Sequence, residues 1–149
     1  LGIRRSSTFE GEASMALQFA AEKFSREPFG NYEPMEKLTA EKEGRIMLCT
    51  QALVKRLCDG VQNGEDKNRL AYEFHSLLAD MTVQACRIIS ERTGVKTCAL
   101  SGGVFQNKLL LKMVKCRLEK MGLRVLIHSL VPANDGGIAL GQAFYLNEE

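Results

Sequence analysis

The last third of the sequence alternates twice between a short apolar run and a helical pattern, and this order constrains the fold more than any other feature. The apolar runs are VKTCAL at 95–100 and LRVLIHSL at 123–130. Each run is followed by glycines and then by a helical pattern, at 107–121 and 136–146. Short strands that alternate with helices predict a parallel α/β sheet.

The preceding region, 10–93, is predicted to be mainly helical. Three segments have helical composition or spacing: 10–25, 51–62 and 70–93. The third has apolar residues three and four positions apart, which makes one apolar stripe, and Gly94 after it is a suitable C-cap. Prolines and a glycine predict a loop at 27–36, and a short extended piece is expected at 45–49.

Composition narrows the class of protein. The 149 residues are 45% hydrophobic and 26% charged, with a net charge of +2. These values are typical of one globular domain, and they argue against a nucleic-acid or membrane partner. The five cysteines form no CxxC pair, so we expect small buried side chains rather than a disulfide framework or a zinc knuckle. The cytoplasm is the expected compartment.

The first glycine turn, Ser101-Gly102-Gly103, lies where the first predicted strand ends. Ligands of parallel α/β sheets bind outside the carboxyl ends of the strands. Glycines allow close approach, and the start of the next helix favours an anion such as phosphate. Asn107 could contact such a ligand. A tight joint with Asn107 as a local helix cap explains the same residues equally well.

The second turn, PANDGGIALGQ, has the same two interpretations. Asp135 precedes a glycine pair and a helix, so its carboxylate could cap that helix. A carboxylate at the end of a strand is also a hard oxygen ligand for a metal ion. One such residue is not a site, because zinc sites take three or four protein ligands.

The two turns together resemble a known family. SGGVFQN followed by PANDGGIALGQA is similar to the C-terminal end of HypF, the carbamoyltransferase family of NiFe-hydrogenase maturation. LGIRRSSTFEGEASMALQFA and RLAYEFHSLLADMTVQ resemble two earlier segments of the same family. The resemblance covers nearly the whole chain in order, and it is weakest from 27 to 65.

The resemblance implies that residues 1–149 are the C-terminal part of the HypF catalytic domain, which is similar to the tRNA threonylcarbamoyl transferases. The implied fold is a helix-rich, partial actin/sugar-kinase/Hsp70-type half-domain, ribonuclease-H-like, with two parallel strands in this chain. Residues 10–93 would form its helical region and 96–147 its nucleotide and metal region.

The implied chemistry uses ATP and carbamoyl phosphate, which give carbamoyl adenylate. The carbamoyl group then passes to the C-terminal cysteine of HypE, the expected partner. By resemblance, Gly102, Gly103 and Asn107 contact the nucleotide, Gly11 lies near the ribose, and Asp135 binds a zinc or iron ion. The two histidines, His75 and His128, match family residues with no implied metal role, and we expect structural roles for both.

One departure from the family limits this expectation. The family's metal is also held by a His-x-x-x-His helix, and this sequence has no such pair. The remaining metal ligands are therefore expected outside the chain, which we expect to be inactive by itself. An alternative is a non-catalytic ATP-binding or protein-interaction module. The first turn is also similar to the SGGxDS loop of ATP pyrophosphatases, but Phe105 and Gln106 replace the Asp and Ser.

Overall fold

The computed structural model describes residues 1–24 and 38–146, so the loop predicted at 27–36 lies outside the described residues. The helices and strands are α1 (Glu12–Phe24), β1 (Thr39–Lys42), β2 (Arg45–Leu48), α2 (Thr50–Gln62), α3 (Lys67–Thr93), β3 (Thr97–Leu100), α4 (Lys108–Lys120), β4 (Arg124–Ile127) and α5 (Ile138–Leu146). Two short 3-10 turns, Gly103–Gln106 and Asp135–Gly137, precede α4 and α5. The predicted helices form close to their predicted bounds.

Strands β3 and β4 form a two-stranded parallel sheet, and α4 connects them. Thr97 lies opposite Arg124, and Leu100 lies opposite Ile127. The predicted helix-rich α/β fold with two parallel strands is therefore confirmed. Strand β4 ends at Ile127, short of the predicted end at Leu130, whose side chain is 97% exposed.

The expectation of one extended piece at 45–49 was incomplete, because the chain forms an antiparallel hairpin there. Strand β1 pairs with β2, with Lys42 opposite Arg45. The two residues between them, Glu43 and Gly44, have φ angles of 53° and 75°. Two-residue hairpin turns need positive φ at both positions, which Asn-Gly or Asp-Gly usually supplies. The hairpin was not predicted because glutamate is not a typical residue at the first turn position and because β1 has a polar composition.

Helix α3 is the central element of the structure. Its first turn is capped by Asp66, whose carboxylate accepts from the Arg69 N–H at 2.8 Å. Its end is set by Gly94, which has φ 74° and donates its N–H to the Ser90 carbonyl. The helix contacts α1 and α4 on one side and α2 and the hairpin on the other.

Two apolar clusters hold these layers together. The larger lies among α1, α3, α4 and the sheet, and its buried residues are Ala20, Ala21, Ala71, Ala79, Leu100, Leu109, Leu110, Met113, Val114, Leu118 and Leu123. The smaller lies under the hairpin and α2, and its buried residues are Leu38, Leu53, Leu77 and Met81. Because Ala71 and Ala79 are small and completely buried, the neighbouring helices can approach α3 closely.

A buried arginine fixes α4 against α3. The Arg117 guanidinium donates to the Ser76 carbonyl at 2.7 Å, to the Ser76 hydroxyl at 2.7 Å and to Asp80 Oδ1 at 2.8 Å. These bonds reach two successive turns of α3. The planar guanidinium fork is suited to several directed bonds at once, so the contact sets the relative position of the two helices as well as pairing charge.

The buried environment of this contact changes the pKa of Asp80. Burial raises the pKa of the Asp80 carboxyl from 3.8 to about 6, although the Arg117 charge acts in the opposite direction. Within the described part of the chain, no hydrogen-bond partner is found for buried Asp80 Oδ2. Since the folded-state pKa is the higher one, Asp80 favours folding most below pH 3.8, and this contribution is lost as pH rises to about 6.

Helix α5 has no buried residue. Its five large apolar side chains are 56–72% exposed: Ile138, Leu140, Phe144, Tyr145 and Leu146. The helix packs mainly against the 3-10 turn that precedes it. Despite this apolar character, none of the helices in the two described ranges is long and apolar enough to cross a membrane.

The expectation that most cysteines are buried was wrong. Cys58 is exposed, and the other four are only partly buried. Cys86 and Cys98 pack against the edge of the larger cluster, with their sulfur atoms 3.7 Å apart. Cys86 on α3 and Cys98 on β3 lie where the helix meets the sheet. The spacing of apolar residues in the sequence does not distinguish such partly buried positions from fully buried ones.

We expect Arg117→Met to destabilise the fold in a pH-dependent way. Near pH 8 the variant leaves the Asp80 carboxylate buried and unpaired, which costs about 3–5 kcal/mol. Near pH 5 the carboxyl is mostly protonated, because its pKa is about 6, so the loss should be smaller. Urea unfolding at both pH values measures the difference.

The matched control is Arg87→Met on α3, the helix that carries Asp80. Arg87 is 57% exposed and lies 4.0 Å from Glu91, so its loss should cost less than about 1 kcal/mol at either pH. An Arg117→Met loss that is equal at the two pH values, or no larger than the control, would contradict the role of the buried pair.

Candidate functional site

The carboxyl ends of β3 and β4 lead into the two glycine turns, which face α1 across a cleft of about 910 Å³. The lining residues come from α1 and the turn before it and from the two glycine turns: Glu10, Gly11, Ser14, Met15, Gln18, Phe19, Glu22, Gly103, Val104, Gln106, Asn107, Lys108, Asn134 and Asp135. The cleft therefore lies where parallel α/β folds place their ligands.

Four of the five predicted site residues line this cleft: Gly11, Gly103, Asn107 and Asp135. They are distant in sequence and come from three separate segments. The fifth, Gly102, lies beside the cleft and is not among its lining residues. The structure thus brings the predicted residues to one place, while their roles toward a ligand stay predictions.

The backbone conformation at residue 102 requires glycine. Its φ is 99° and its ψ 157°, a combination that only glycine adopts readily. Its N–H donates to the Ala133 carbonyl at 2.8 Å, so this residue joins the first glycine turn to the second. A side chain at 102 would meet no atom within 4 Å, so the constraint is conformational rather than steric.

Gly103 differs, because the protein itself gives no reason for glycine there. Its φ lies outside the left-handed region, and an added Cβ would lie 4.0 Å from its nearest neighbour, Asn134 Cβ. Since Gly103 lines the cleft, a side chain there would occupy space open to a ligand. This is the arrangement expected where a backbone must be approached closely.

Gly11 sets the start of α1. Its φ of 84° is in the left-handed region, and its carbonyl accepts from the Ser14 hydroxyl at 2.8 Å and the Met15 N–H at 2.9 Å. Next to it, buried Glu12 accepts from the Thr8 N–H at 2.6 Å and pairs with Arg4. The turn at the rim of the cleft is thereby held by its own local bonds.

Asn107 is the N-cap of α4. Its Oδ1 accepts from the Leu110 N–H at 3.0 Å, which satisfies one of the free donors of the first helical turn. The helix begins at Lys108, one residue later than predicted, and a 3-10 turn separates it from the glycines. The first residue of α4 therefore lies five positions after Gly103, one more than predicted.

The other end of the Asn107 amide bonds a histidine. Nδ2 of Asn107 lies 2.8 Å from Nε2 of His75, and Nδ1 of His75 lies 2.7 Å from the Ala71 carbonyl. A carbonyl only accepts, so Nδ1 carries the proton and Nε2 accepts from the amide. Burial lowers the pKa of the His75 imidazole below its ordinary 6.5, against the opposing effects of the Ala71 carbonyl and the Glu22 charge.

His128 makes a different link. Its Nε2 lies 2.8 Å from the Ser101 hydroxyl, so it joins the end of β4 to the end of β3. Together with the bond from Gly102 to Ala133, this contact ties the two glycine turns side by side.

Asp135 is not the cap of the helix that follows it. That position is taken by Asn134, whose Oδ1 accepts from the Gly136 N–H at 3.1 Å. The Asp135 carboxylate is exposed and lies on the cleft wall. Asp135 therefore does not cap this 3-10 turn, and its role toward a metal ion stays a prediction.

The described residues do not form a complete metal site. No group of three or more His, Cys, Asp and Glu side chains that could hold a metal ion occurs in the described ranges. Asp135 could supply one oxygen ligand, but both histidines are committed to other partners. The residues at 1–24 and 38–146 therefore do not by themselves fit a zinc or iron ion.

The charges around the cleft are predominantly negative. Glu10, Glu22 and Asp135 contribute carboxylates, and Lys108 contributes an amine. A bound phosphate would be repelled by this wall unless further positive charge accompanied it.

Sequence reasoning missed the contribution of α1. Ser14, Gln18 and Glu22 recur at four-residue intervals and line the cleft, as do Met15 and Phe19. Residues four apart share one face of a helix. The four-residue spacing is visible in the sequence, but the Ala and Leu content of the segment predicted only a buried face for this helix.

A family model described as the carbamoyltransferase Kae1-like domain, second subdomain, matches residues 1–142. The chain is 30% identical over 142 residues to a probable carbamoyltransferase HypF of Methanocaldococcus jannaschii, covering 95% of this chain and 17% of that protein.

Solved structures agree with this similarity. A crystal structure of full-length HypF in the phosphate- and nucleotide-bound form matches 99% of this chain and 18% of that one, at a TM-score of 0.82 and 32% identity. HypF of T. kodakarensis matches 99% of this chain and 19% of that one, at a TM-score of 0.75 and 29% identity. The chain thus spans less than a fifth of the length of these proteins.

We expect His75 to make stability depend on pH. The pKa of this buried imidazole is lowered, so below 6.5 the unfolded state takes up a proton before the folded state does, and stability falls. His75→Gln removes that titration. The advantage of the wild type over His75→Gln in unfolding free energy should therefore shrink as pH falls from about 7 to 5.

Urea unfolding of both proteins across this range measures the effect, and the contribution of Asp80 cancels because both proteins contain it. His128→Gln removes the exposed histidine and should change stability by less than about 1 kcal/mol at neutral pH. A wild-type advantage that stays constant with pH would contradict the buried neutral state of His75.

Proposed function

The chain belongs to the HypF carbamoyltransferase family, and on that premise we propose that it is the C-terminal part of a catalytic domain that transfers a carbamoyl group. The proposed donor is carbamoyl adenylate, made from ATP and carbamoyl phosphate. The proposed acceptor is the C-terminal cysteine of HypE, which would enter the synthesis of the cyanide ligand of a hydrogenase.

One observation carries this proposal: Gly11, Gly103, Asn107 and Asp135 meet at a single cleft beyond the carboxyl ends of the parallel strands. Gly103 leaves space that the protein does not use, and Gly102 locks the adjoining backbone. Such a turn suits the close approach of a phosphate or a ribose. These features support a nucleotide-binding role for the cleft.

In the proposed reaction, the thiolate of the HypE cysteine attacks the carbamoyl carbon of carbamoyl adenylate. A carbon–sulfur bond forms, the bond from the carbonyl carbon to the AMP phosphate oxygen breaks, and AMP leaves with the electron pair. The thiol proton is released before or during the attack. The residues of this chain bind and orient the adenylate, which makes the reaction effectively intramolecular.

We further propose that Asp135 supplies one ligand to a divalent metal, zinc or iron, with the other ligands outside this chain. Two features support this role: the exposed carboxylate on the cleft wall and the need for positive charge beside three carboxylates. Because the described residues cannot hold the ion alone, we derive no catalytic step through it.

The 149-residue chain alone should not transfer a carbamoyl group, because it spans 17% of the length of the M. jannaschii protein and 18% of the full-length HypF structure. The function itself is tested with a chimeric protein. In this chimera, residues 1–142 replace the matching segment of the M. jannaschii protein. We expect this chimera to carbamoylate a HypE substrate from carbamoyl phosphate and ATP, measured by mass spectrometry of the HypE cysteine.

Turnover by the isolated chain would refute the expected dependence on the rest of the protein. A folded chimera that binds ATP without transfer would favour the alternative of a non-catalytic ATP-binding or interaction module. A folded chimera that neither binds ATP nor transfers would reject the proposal.

Gly103→Val should weaken ATP binding at least about tenfold, a loss of 1.4 kcal/mol or more. The valine fits the backbone but fills the space in front of the turn. The measurement is calorimetric titration of ATP into the full protein encoded by the gene. Gly141→Val is the matched control, since Gly141 also has no positive φ, has no neighbour within 4 Å and lies outside the cleft. Equal affinities for the two variants would contradict a nucleotide at Gly103.

A further inference from the structure

Four residues form a continuous line of hydrogen bonds at the edge of the cleft: Ala71, His75, Asn107 and Leu110. The line runs from the Ala71 carbonyl through both ring nitrogens of His75 to the Asn107 amide and then to the Leu110 N–H. At one end stands a carbonyl that can only accept, and at the other an N–H that can only donate. Only one arrangement of protons satisfies every bond.

The orientation of the Asn107 side chain follows from this order. Its oxygen must face Leu110, and its nitrogen must face His75. The amide nitrogen carries two hydrogens, and His75 Nε2 takes one of them. The second has no partner among the described residues, and Asn107 lines the cleft.

We propose that His75 is a positioning residue for the cleft, which holds the Asn107 amide so that it presents a fixed hydrogen-bond donor to the bound nucleotide. His75 itself is 1% exposed and does not line the cleft. It would act only through Asn107. This inference rests on the proposed function, because the ligand that Asn107 meets there is the proposed nucleotide.

A purely structural role for the pair does not explain the residue types. Serine, threonine or aspartate would cap Leu110 as well as asparagine does. Asparagine adds a donor beside the acceptor, and that donor is what His75 binds. A buried imidazole also costs more than an apolar side chain of similar size unless both ring nitrogens are bonded, as they are here. The pair is thus specific for orienting an amide.

The experiment compares His75→Leu with His75→Gln in the full protein encoded by the gene, with ATP as the probe. Leucine fills the buried space but accepts no bond from Asn107, so ATP affinity should fall at least about tenfold. The Gln oxygen can replace Nε2 as the acceptor, so that variant should stay within about threefold of the wild type. Urea unfolding, run in parallel, shows that both variants are folded.

Asn107→Ser supplies the second arm, because it keeps a cap for Leu110 but removes the donor. Its effect on ATP affinity should match that of His75→Leu, and the double variant should be no weaker than either single variant. If His75→Leu does not fold, the proposal is judged on Asn107→Ser and His75→Gln alone. Independent, additive losses, or equal losses for the Leu and Gln variants, would overturn the positioning role.

A readout without ligand separates this inference from the proposed function. The NMR signals of the two Asn107 Nδ2 hydrogens should be well separated in the wild type and in His75→Gln, and should converge in His75→Leu. Unchanged signals in His75→Leu would overturn the positioning role even if ATP binds. The expected signals in a protein that does not bind ATP would confirm the orientation of Asn107 and reject the nucleotide as its ligand.

Discussion

The buried contact of Arg117 with Ser76 and Asp80 is the constraint on which the rest of the structure depends. It fixes α4 along α3, and these two helices carry the groups that shape the edge of the cleft. His75 precedes Ser76 on α3, and Asn107 begins α4, roughly 15 Å along the axis from Arg117 by the rise of an α-helix. If α4 slid along α3 by one residue, the hydrogen bond between His75 and Asn107 would be broken. The arginine is therefore a determinant of the site although it lies far from it.

The cleft is built by a small number of bonds that each join two different segments. Ser101 meets His128, Gly102 meets Ala133, and Asn107 meets His75. Each joins parts of the chain that are at least 27 residues apart. Hydrophobic burial supplies most of the stability of such a domain, but it is not directional. The position of the two glycine turns relative to each other comes from these directed bonds.

The sequence predicted the part of the fold that depends on local pattern. The order of β3, α4 and β4 follows from short apolar runs separated by a helical segment, and the end of α3 follows from Gly94. The hairpin was missed because Glu43 stands where a turn residue such as asparagine is expected.

The sequence predicted most of the residues at the cleft but not the bonds that hold them. Glycines at strand ends and a family resemblance were enough to choose Gly11, Gly103, Asn107 and Asp135, which meet at the cleft. The partner of Asn107 was not predictable, because the bond to His75 spans 32 positions and no local pattern links the two. The identity of the capping residue before α5 also needed coordinates, since Asn134 and Asp135 were equally suitable caps.

Helix α5 has a consequence for the second glycine turn. A helix of nine residues is too short to be stable in water by itself, since isolated helices need about 12–15 residues. Because α5 also buries no side chain, it is the least stabilised by packing among the five described helices. Asp135 stands immediately before this helix, in the 3-10 turn that α5 packs against. Local unfolding of α5 would therefore disturb this turn, and with it the position of the Asp135 carboxylate on the cleft wall.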